Sequence, residues 1–363
     1  MGWVEILVEK DALVSNMKLL RALSGGARFY AVVKSDGYGH GMVSCARIFL
    51  ENGADALAVS LVDEALELKN AGIESDILLL AGFLPGEEEA VVRGGFEVAV
   101  SDRSMIDALG RASERLNRPV KVHLKVDTGM GRLGFMESEI ASALDSISGY
   151  KGLKLVGVMS HFPVADEKSR ESQDFTRSQI ASFRRIVREH GLSSLSVVHL
   201  ANSAGLLFYP DAVFTGVRAG IALYGGIDYP GLREAMHVRT RILSVKTVPP
   251  GWSVSYGRTY RTEKPKRIGI IPFGYALGYS RSFSNKAYVS VKGRRKPVLG
   301  RVCMDLTVID LDGVDAHAGD YVYLLGGEGE RISVFELSRW CGTITYEVFC
   351  QLGGGNSRIK RLV

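Results

Sequence analysis

A lysine at the end of an apolar run, followed at once by a glycine-studded turn, carries the most chemical content in this chain: Phe29-Tyr-Ala-Val-Val-Lys-Ser-Asp-Gly-Tyr-Gly-His-Gly41. An ammonium at the end of a buried strand is costly unless something uses it. A lysine held there can lose its proton and attack a carbonyl carbon, as in enzymes that hold an aldehyde cofactor. On this segment alone, a Lys34 that merely snorkels out of a strand end fits as well. A second dense motif, Lys125-Val-Asp-Thr-Gly-Met-Gly-Arg-Leu-Gly134, brings the cations Lys125 and Arg132 into one glycine-rich turn. Like charges repel there. Solvent separates them, or one is neutralised or modified, or Asp127 joins them in a small ion cluster.

The elements that must position these residues follow from the pattern of apolar runs. Short runs at Phe29 to Lys34, Ala56 to Ser60, Ile77 to Ala81, Glu97 to Ser101, Val120 to Asp127, Leu155 to His161, Val197 to Asn202 and Gly216 to Arg218 read as strands. Between them lie helical patterns such as Val62 to Ala71, Ser104 to Leu116 and Ser172 to Glu189, with apolar residues every three or four positions. Strands separated by helices argue for parallel β/α units, and eight is the number that closes a TIM-type barrel. The runs are continuously apolar, as expected of strands buried on both faces.

In such a barrel the C-terminal strand ends carry the site. Those ends supply Lys34, Lys125 with Asp127, His161, Asn202 with Ser203, and Arg218. Asn202-Ser203-Ala204 opens a helix, and Gly216-Val-Arg-Ala-Gly-Ile221 turns tightly after the last strand. Backbone N–H groups and a hydroxyl at these two loops make an anion site suited to phosphate. Either feature alone is also an ordinary helix cap or turn.

After about His237 the texture changes to short β-rich segments with glycine and proline turns: Val238 to Val248, Ser253 to Thr262, Lys266 to Phe273, Tyr288 to Lys292, Pro297 to Asp310 and Tyr321 to Leu325. One short helix, Ser333 to Cys341, starts with a capping box. The division expected is a barrel domain over 1–237 and a mostly-β domain over 238–363, with strand Trp3 to Val8 pairing with the latter. Lys292-Gly-Arg-Arg-Lys296 reads as a hairpin turn. Ser255-Tyr-Gly257, Gly274-Tyr-Ala-Leu-Gly-Tyr279 and Gly300-Arg-Val-Cys-Met-Asp305 are segments in which tyrosine or methionine sits among glycines, each weak evidence alone.

Composition excludes several classes. Of 363 residues, 46% are hydrophobic and 23% charged, which describes an ordinary globular protein of about two domains. No apolar run approaches the ~18 residues that span a bilayer. The N-terminus lacks the features of a signal peptide, and Met1-Gly2 suggests myristoylation only loosely because Val4-Glu5-Ile6 reads as a strand. The net charge of +5 is dispersed, and no aromatic-basic stripe points to nucleic acid. Cys45, Cys303, Cys341 and Cys350 show no metal-type spacing, so no metal is expected, and reduced thiols fit a cytoplasmic protein.

With these residues assembled, the chain resembles the alanine racemases over nearly its whole length. The resemblance rests on AVVKSDGYGHG, LKVDTGMGRLG, SHF, HLANS, VRAGIALYG, VSYG, GRVCMD and TYEV, in that order. It implies a (β/α)8 barrel with a C-terminal β-domain, pyridoxal 5'-phosphate as cofactor, and interconversion of L- and D-alanine by two bases, supplying D-alanine for peptidoglycan. Lys34 would bond to the cofactor and serve one face of the substrate; Tyr256, from the partner subunit, would serve the other. Tyr38, Ser203, Gly220, Ile221 and Tyr346 would hold the phosphate, with Asn202 beside them. Arg218 would face the pyridine nitrogen, with His161 behind it. Arg132 and the partner's Met304 would position the substrate carboxylate, and Lys125 matches a lysine that is often carbamylated. A homodimer with two composite sites is implied, with neither nucleic acid nor membrane as partner.

Three places depart from the resemblance. Leu277 stands where aspartate is usual, Leu306 where glutamine is usual, and the tail from Phe349 to Arg361 is looser. The first two leave open a broad-specificity racemase of serine or other small amino acids. Tyr346 favours a small pocket. A non-catalytic cofactor carrier would lack the β-domain, and a basic amino-acid decarboxylase would present a carboxylate at the position of Arg218.

Overall fold

The computed structural model describes residues 3–354 and 359–363. Met1-Gly2 and residues 355–358 of the divergent tail lie outside the described residues.

The first strand, β1 (Val4–Val8), leads into the helix Lys10–Leu23. Eight further strands follow: β2 (Arg28–Val32), β3 (Ala56–Val59), β4 (Ile77–Leu79), β5 (Glu97–Val100), β6 (Val120–Lys125), β7 (Leu153–Met159), β8 (Val197–His199) and β9 (Gly216–Ala219). They close into a parallel barrel in sequence order, with β9 returning to β2. Their side chains are buried nearly throughout, since helices cover the outside and packed residues fill the inside. The eight expected strands are all present and mostly stop a residue or more earlier than their apolar runs. Lys34, His161 and Asn202 therefore sit just past strand ends.

The connecting helices have local causes. Helix Arg103–Leu116 starts where the Asp102 carboxylate accepts the Met105 N–H at 2.9 Å. Helix Arg170–Glu189 buries Thr176, Ile180, Phe183 and Val187 on one stripe and exposes its arginines on the other.

A six-stranded sheet holds β10 (Met236–Arg241), which pairs antiparallel with β1. On the other edge of β1 the last strand, Ile359–Leu362, runs parallel. Val238 to Val248 forms two strands, β10 and Ser244–Val248, and Pro297 to Asp310 is broken by a loop before Thr307–Asp310. The basic run is a hairpin turn between Tyr288–Val291 and Arg294–Pro297. The capping box at Ser333 is formed, opening helix Val334–Cys341. The expectation of one C-terminal helix needs correction: a second, Thr345–Leu352, follows and carries Tyr346. Its N-cap position is Ile344, with no side-chain cap, so the start signal is absent from the sequence.

Candidate active site

The C-terminal mouth of the barrel opens on a cavity of about 440 Å³. Lys34, Tyr38, Lys125, Arg132, His161, Asn202, Ser203, Arg218, Gly220, Ile221 and Tyr346 all line it. These residues come from separate strand ends, from the loop after β6 and from the second C-terminal helix. Tyr256 and Met304 are not on this wall; they are 71% and 55% exposed on neighbouring loops of the C-terminal part. Those two loops are tied together by the Ser255 hydroxyl, which donates to the Arg301 carbonyl at 2.5 Å.

Lys34 is delivered by an unusual turn. Ser35, Asp36, Gly37 and Tyr38 all have φ between 52 and 61°, one turn of left-handed helix. That conformation costs an L-residue roughly 1–2 kcal/mol, so it persists only where neighbours hold it. Here the Ser35 N–H donates to Glu64 Oε1 at 2.6 Å, and the Met42 N–H donates to Asp36 Oδ1 at 2.8 Å. Gly39 has no side chain because a Cβ there would strike the Phe349 carbonyl and Gly353. The outcome is that Lys34 and Tyr38 face the same cavity.

The two loops expected to take an anion meet at Ser203. Asn202 caps helix Ser203–Phe208, its side chain accepting from the Gly205 N–H at 2.9 Å. That leaves the Ser203 hydroxyl to bridge to the next strand, where it accepts from the N–H groups of Gly220 at 2.8 Å and Ala222 at 3.3 Å. A Cβ on Gly220 would collide with the Tyr38 phenol oxygen, so this glycine lets the phenol approach the loop backbone.

Arg218 lies in the floor, 2% exposed. Its guanidinium donates to the carbonyls of His199 at 2.8 Å, Ser160 at 2.6 Å and Leu200 at 3.2 Å, and reaches His161 Nδ1 at 3.4 Å. Burial lowers its proton affinity to about 10, so it remains a cation at neutral pH. Beneath it runs a buried polar column. Glu97 accepts from the Tyr30 hydroxyl at 3.0 Å and meets His123 Nε2 at 3.2 Å, while His123 Nδ1 meets His199 Nε2 at 2.9 Å. Burial alone would raise the Glu97 carboxyl, but His123, Arg28 and Lys121 together bring it down to about 2. Burial keeps both histidines neutral by holding them below their ordinary value.

Cations dominate the cavity. Lys34 is held below the ordinary lysine range by burial first and Arg132 second. Lys125, at the end of β6, donates to the Leu80 carbonyl at 2.9 Å and is lowered to about 8 by burial, then by Arg218, Arg132 and Lys34. His161 is pushed well below its ordinary value by burial and the same cations. Asp127 offsets these cations only in part, as the smallest of the causes acting on Lys125 and without a direct ion pair among the described residues. Its carboxylate instead accepts the N–H groups of Gly129, Met130 and Arg132, which shapes the loop.

Strand-end reasoning picked polar groups and overlooked part of the wall. Ser60 and Ala81 also line the cavity, at the ends of two of the apolar runs, with Val32, Leu80, Leu133 and Met159. Ser60 is polar and ends the run Ala56 to Ser60, so the rule that points to Lys125 and Asn202 points to it as well. Leu277 is 3% exposed and packs into the core; Leu306 is 38% exposed, its carbonyl accepting from the Cys303 N–H beside Met304.

Comparison with known proteins adds a separate line. The family described as alanine racemase, N-terminal domain, matches residues 8–228, and alanine racemase, C-terminal domain, matches residues 235–363. An alanine racemase from Symbiobacterium thermophilum is 39% identical, over 99% of this chain and 96% of the relative. The crystal structure of alanine racemase from Streptomyces lavendulae superposes with a TM-score of 0.92 at 34% identity, covering 100% of this chain and 97% of that one. The alanine racemase of Bartonella henselae, solved with covalently bound pyridoxal phosphate, gives a TM-score of 0.88 at 28% identity, covering 100% and 99%.

Proposed function

The chain belongs to the alanine racemase family and is an enzyme that racemises alanine; from that premise we propose that it holds pyridoxal 5'-phosphate in the barrel cavity and moves the α-proton between Lys34 and Tyr256 of a second copy. One observation carries the reading: a lysine kept below its ordinary proton affinity shares one cavity with the Ser203–Gly220 loop pair and a fixed arginine. The residues fit the cofactor. Tyr38, Ser203, Tyr346 and the Gly220 and Ile221 backbone, which line one cavity, would hold its phosphate, and the absence of a side chain at Gly220 brings the Tyr38 phenol close to that loop. When bound, the cofactor supplies an electron sink for the pair left on the α-carbon.

Lys34 would hold the cofactor and act on one face of the substrate, because burial and Arg132 favour its neutral, proton-accepting form. Arg218 would face the pyridine nitrogen and donate a hydrogen bond without surrendering a full proton, since three carbonyls fix it as a cation. That weakens the electron sink and favours return of the proton to the α-carbon over transamination. His161, neutral and in contact with Arg218, would orient the guanidinium. Arg132 would receive the substrate carboxylate, together with Met304 of the second copy. Lys125 would become an anion by carbamylation and so relieve the repulsion among the cations.

A homodimer supports the second base. Tyr256 and Met304 are large side chains exposed in one chain and absent from its own cavity wall. We place the enzyme in the cytoplasm, supplying D-alanine to peptidoglycan synthesis; no helix of the described residues is long and apolar enough to cross a membrane. Leu306, exposed beside Met304, favours a second reading in which serine or other small amino acids also enter.

Borohydride reduction of the cofactor-loaded enzyme should leave a stable adduct at Lys34, located by peptide mass spectrometry. Mixed dimers of Lys34→Ala and Tyr256→Ala chains should recover about one working site in the composite arrangement. No adduct at Lys34 would defeat the cofactor reading, and full activity in a monomer would defeat the composite site. Chirality-resolved products from alanine and serine decide between the strict and broad readings.

A further inference from the structure

The left-handed turn that carries Lys34 and Tyr38 is held by an element from the far end of the chain. Arg361, on the last strand, places its guanidinium 2.6 Å from Asp36 Oδ2, and the same nitrogen donates to the Gly353 carbonyl at 2.9 Å. Asp36 Oδ1 meanwhile accepts the Met42 N–H at 2.8 Å, so one carboxylate joins the turn, the following helix and the last strand. The last strand is itself fixed by pairing with β1, Ile6 lying opposite Arg361. On the other flank, Glu64 holds the Ser35 N–H and also the N–H groups of Ser60 and Leu61. The two non-glycine residues that open the turn are thus each pinned by a charged side chain from elsewhere.

We propose that Arg361 is a positioning residue: through Asp36 it holds the strained turn in the one arrangement that points Lys34 and Tyr38 into the same cavity. It touches neither cofactor nor substrate. Without it, Ser35, Asp36 and Tyr38 relax toward ordinary backbone, and the lysine and the phenol lose their common target. The two side chains are 25% and 45% exposed, so the pair adds little to overall stability. Its effect falls on local geometry. This inference rests on the reading of Lys34 and Tyr38 as residues that hold the cofactor.

The test compares Arg361→Met, Asp36→Asn and their double variant in full-length dimer. Asp36→Asn keeps an acceptor for the Met42 N–H and removes only the charge. Hydrogen exchange at the amides of Gly37, Gly39 and Gly41 in the apoprotein should speed up about fivefold in each variant, the ratio that an ion pair of this exposure can supply. Pyridoxal phosphate should bind the apoprotein about fivefold more weakly, and kcat should fall while KM for alanine stays near wild type. The double variant should be no worse than either single one, because both remove the same interaction. Arg361→Lys, which keeps the charge, should restore part of the affinity, and it serves with Asp36→Asn if Arg361→Met does not fold. Unchanged exchange and cofactor affinity, a loss of thermal stability alone, or additive single effects would overturn the assignment. A wild-type chain that takes up no pyridoxal phosphate would defeat the cofactor reading, and the exchange rates would still decide the clamp.

Discussion

Raising the pH from 6.5 to 8.5 in bicarbonate should convert Lys125 from a cation into a carbamate anion. Its proton affinity is lowered to about 8 from the usual 10.5, chiefly by burial and then by Arg218, Arg132 and Lys34. A drop of about 2.5 units sets about 3 kcal/mol against the ammonium. At pH 8 about half of the Lys125 side chains are then neutral, compared with ~0.3% of an ordinary lysine, a ratio on the order of 150. Only the neutral amine attacks carbon dioxide, forming an N–C bond and releasing a proton. The resulting anion would attract the cations that the ammonium repels. In ¹³C-bicarbonate, NMR should show one carbamate resonance per chain that grows between pH 7 and 9 and is missing from Lys125→Met. In buffer free of carbon dioxide the same shift acts on stability. Between about 8 and 10.5 the unfolded chain binds the proton that the folded chain has released, so wild-type stability rises with pH across that window, and Lys125→Met loses the rise. No resonance specific to Lys125, or growth centred near 10.5, would refute the reasoning.

Three other outcomes are expected. Glu97→Gln removes the buried charged acceptor of Tyr30 and His123, while Arg28 and Lys121 keep Asp76, and should destabilise the fold by about 1–3 kcal/mol at pH 7 by chemical denaturation. In the wild type the Glu97 contribution, fully present above about 4.5, should fade as the pH falls toward about 2, a dependence absent from the variant. Gly220→Ala would ask an alanine to adopt φ −123°, ψ −98°, outside the regions open to L-residues, and would place a methyl group against the Tyr38 phenol, so cofactor affinity measured by absorbance should fall at least about tenfold and the melting temperature should drop with it. Arg218→Glu should slow racemisation sharply and raise pyruvate formation from alanine; an unaltered product ratio would count against the electron-sink argument.

Most of the barrel and of its rim was legible because both rest on strong local rules. Continuous Val, Ile, Leu and Ala runs at β3 and β4 read as buried strands between amphipathic helices, and strand ends mark where chemistry sits. What stayed hidden depends on contacts between distant parts of the chain. Nothing in Ser35, Asp36 or Tyr38 announces a left-handed backbone, since none is glycine and the partners that hold the turn, Glu64 and Arg361, are remote in sequence. Helix Thr345–Leu352 lacks a capping side chain, so the resemblance names Tyr346 while no local signal announces the helix that sets it on the cavity wall. The column of Glu97, His123 and His199 was invisible because each residue falls inside a strand that reads as ordinary core.

The pairing of β1 has a consequence for how the protein is made. Among the described residues, Val4–Val8 pairs with β10 and with Ile359–Leu362. At ordinary elongation speeds, on the order of ten to forty-five seconds pass on the ribosome before the first of these emerges. Throughout that interval the nascent chain carries a bare, apolar edge ahead of a barrel that is already assembling, and a chaperone that shields the leading segment should raise the yield of correctly joined molecules more than one acting on the barrel.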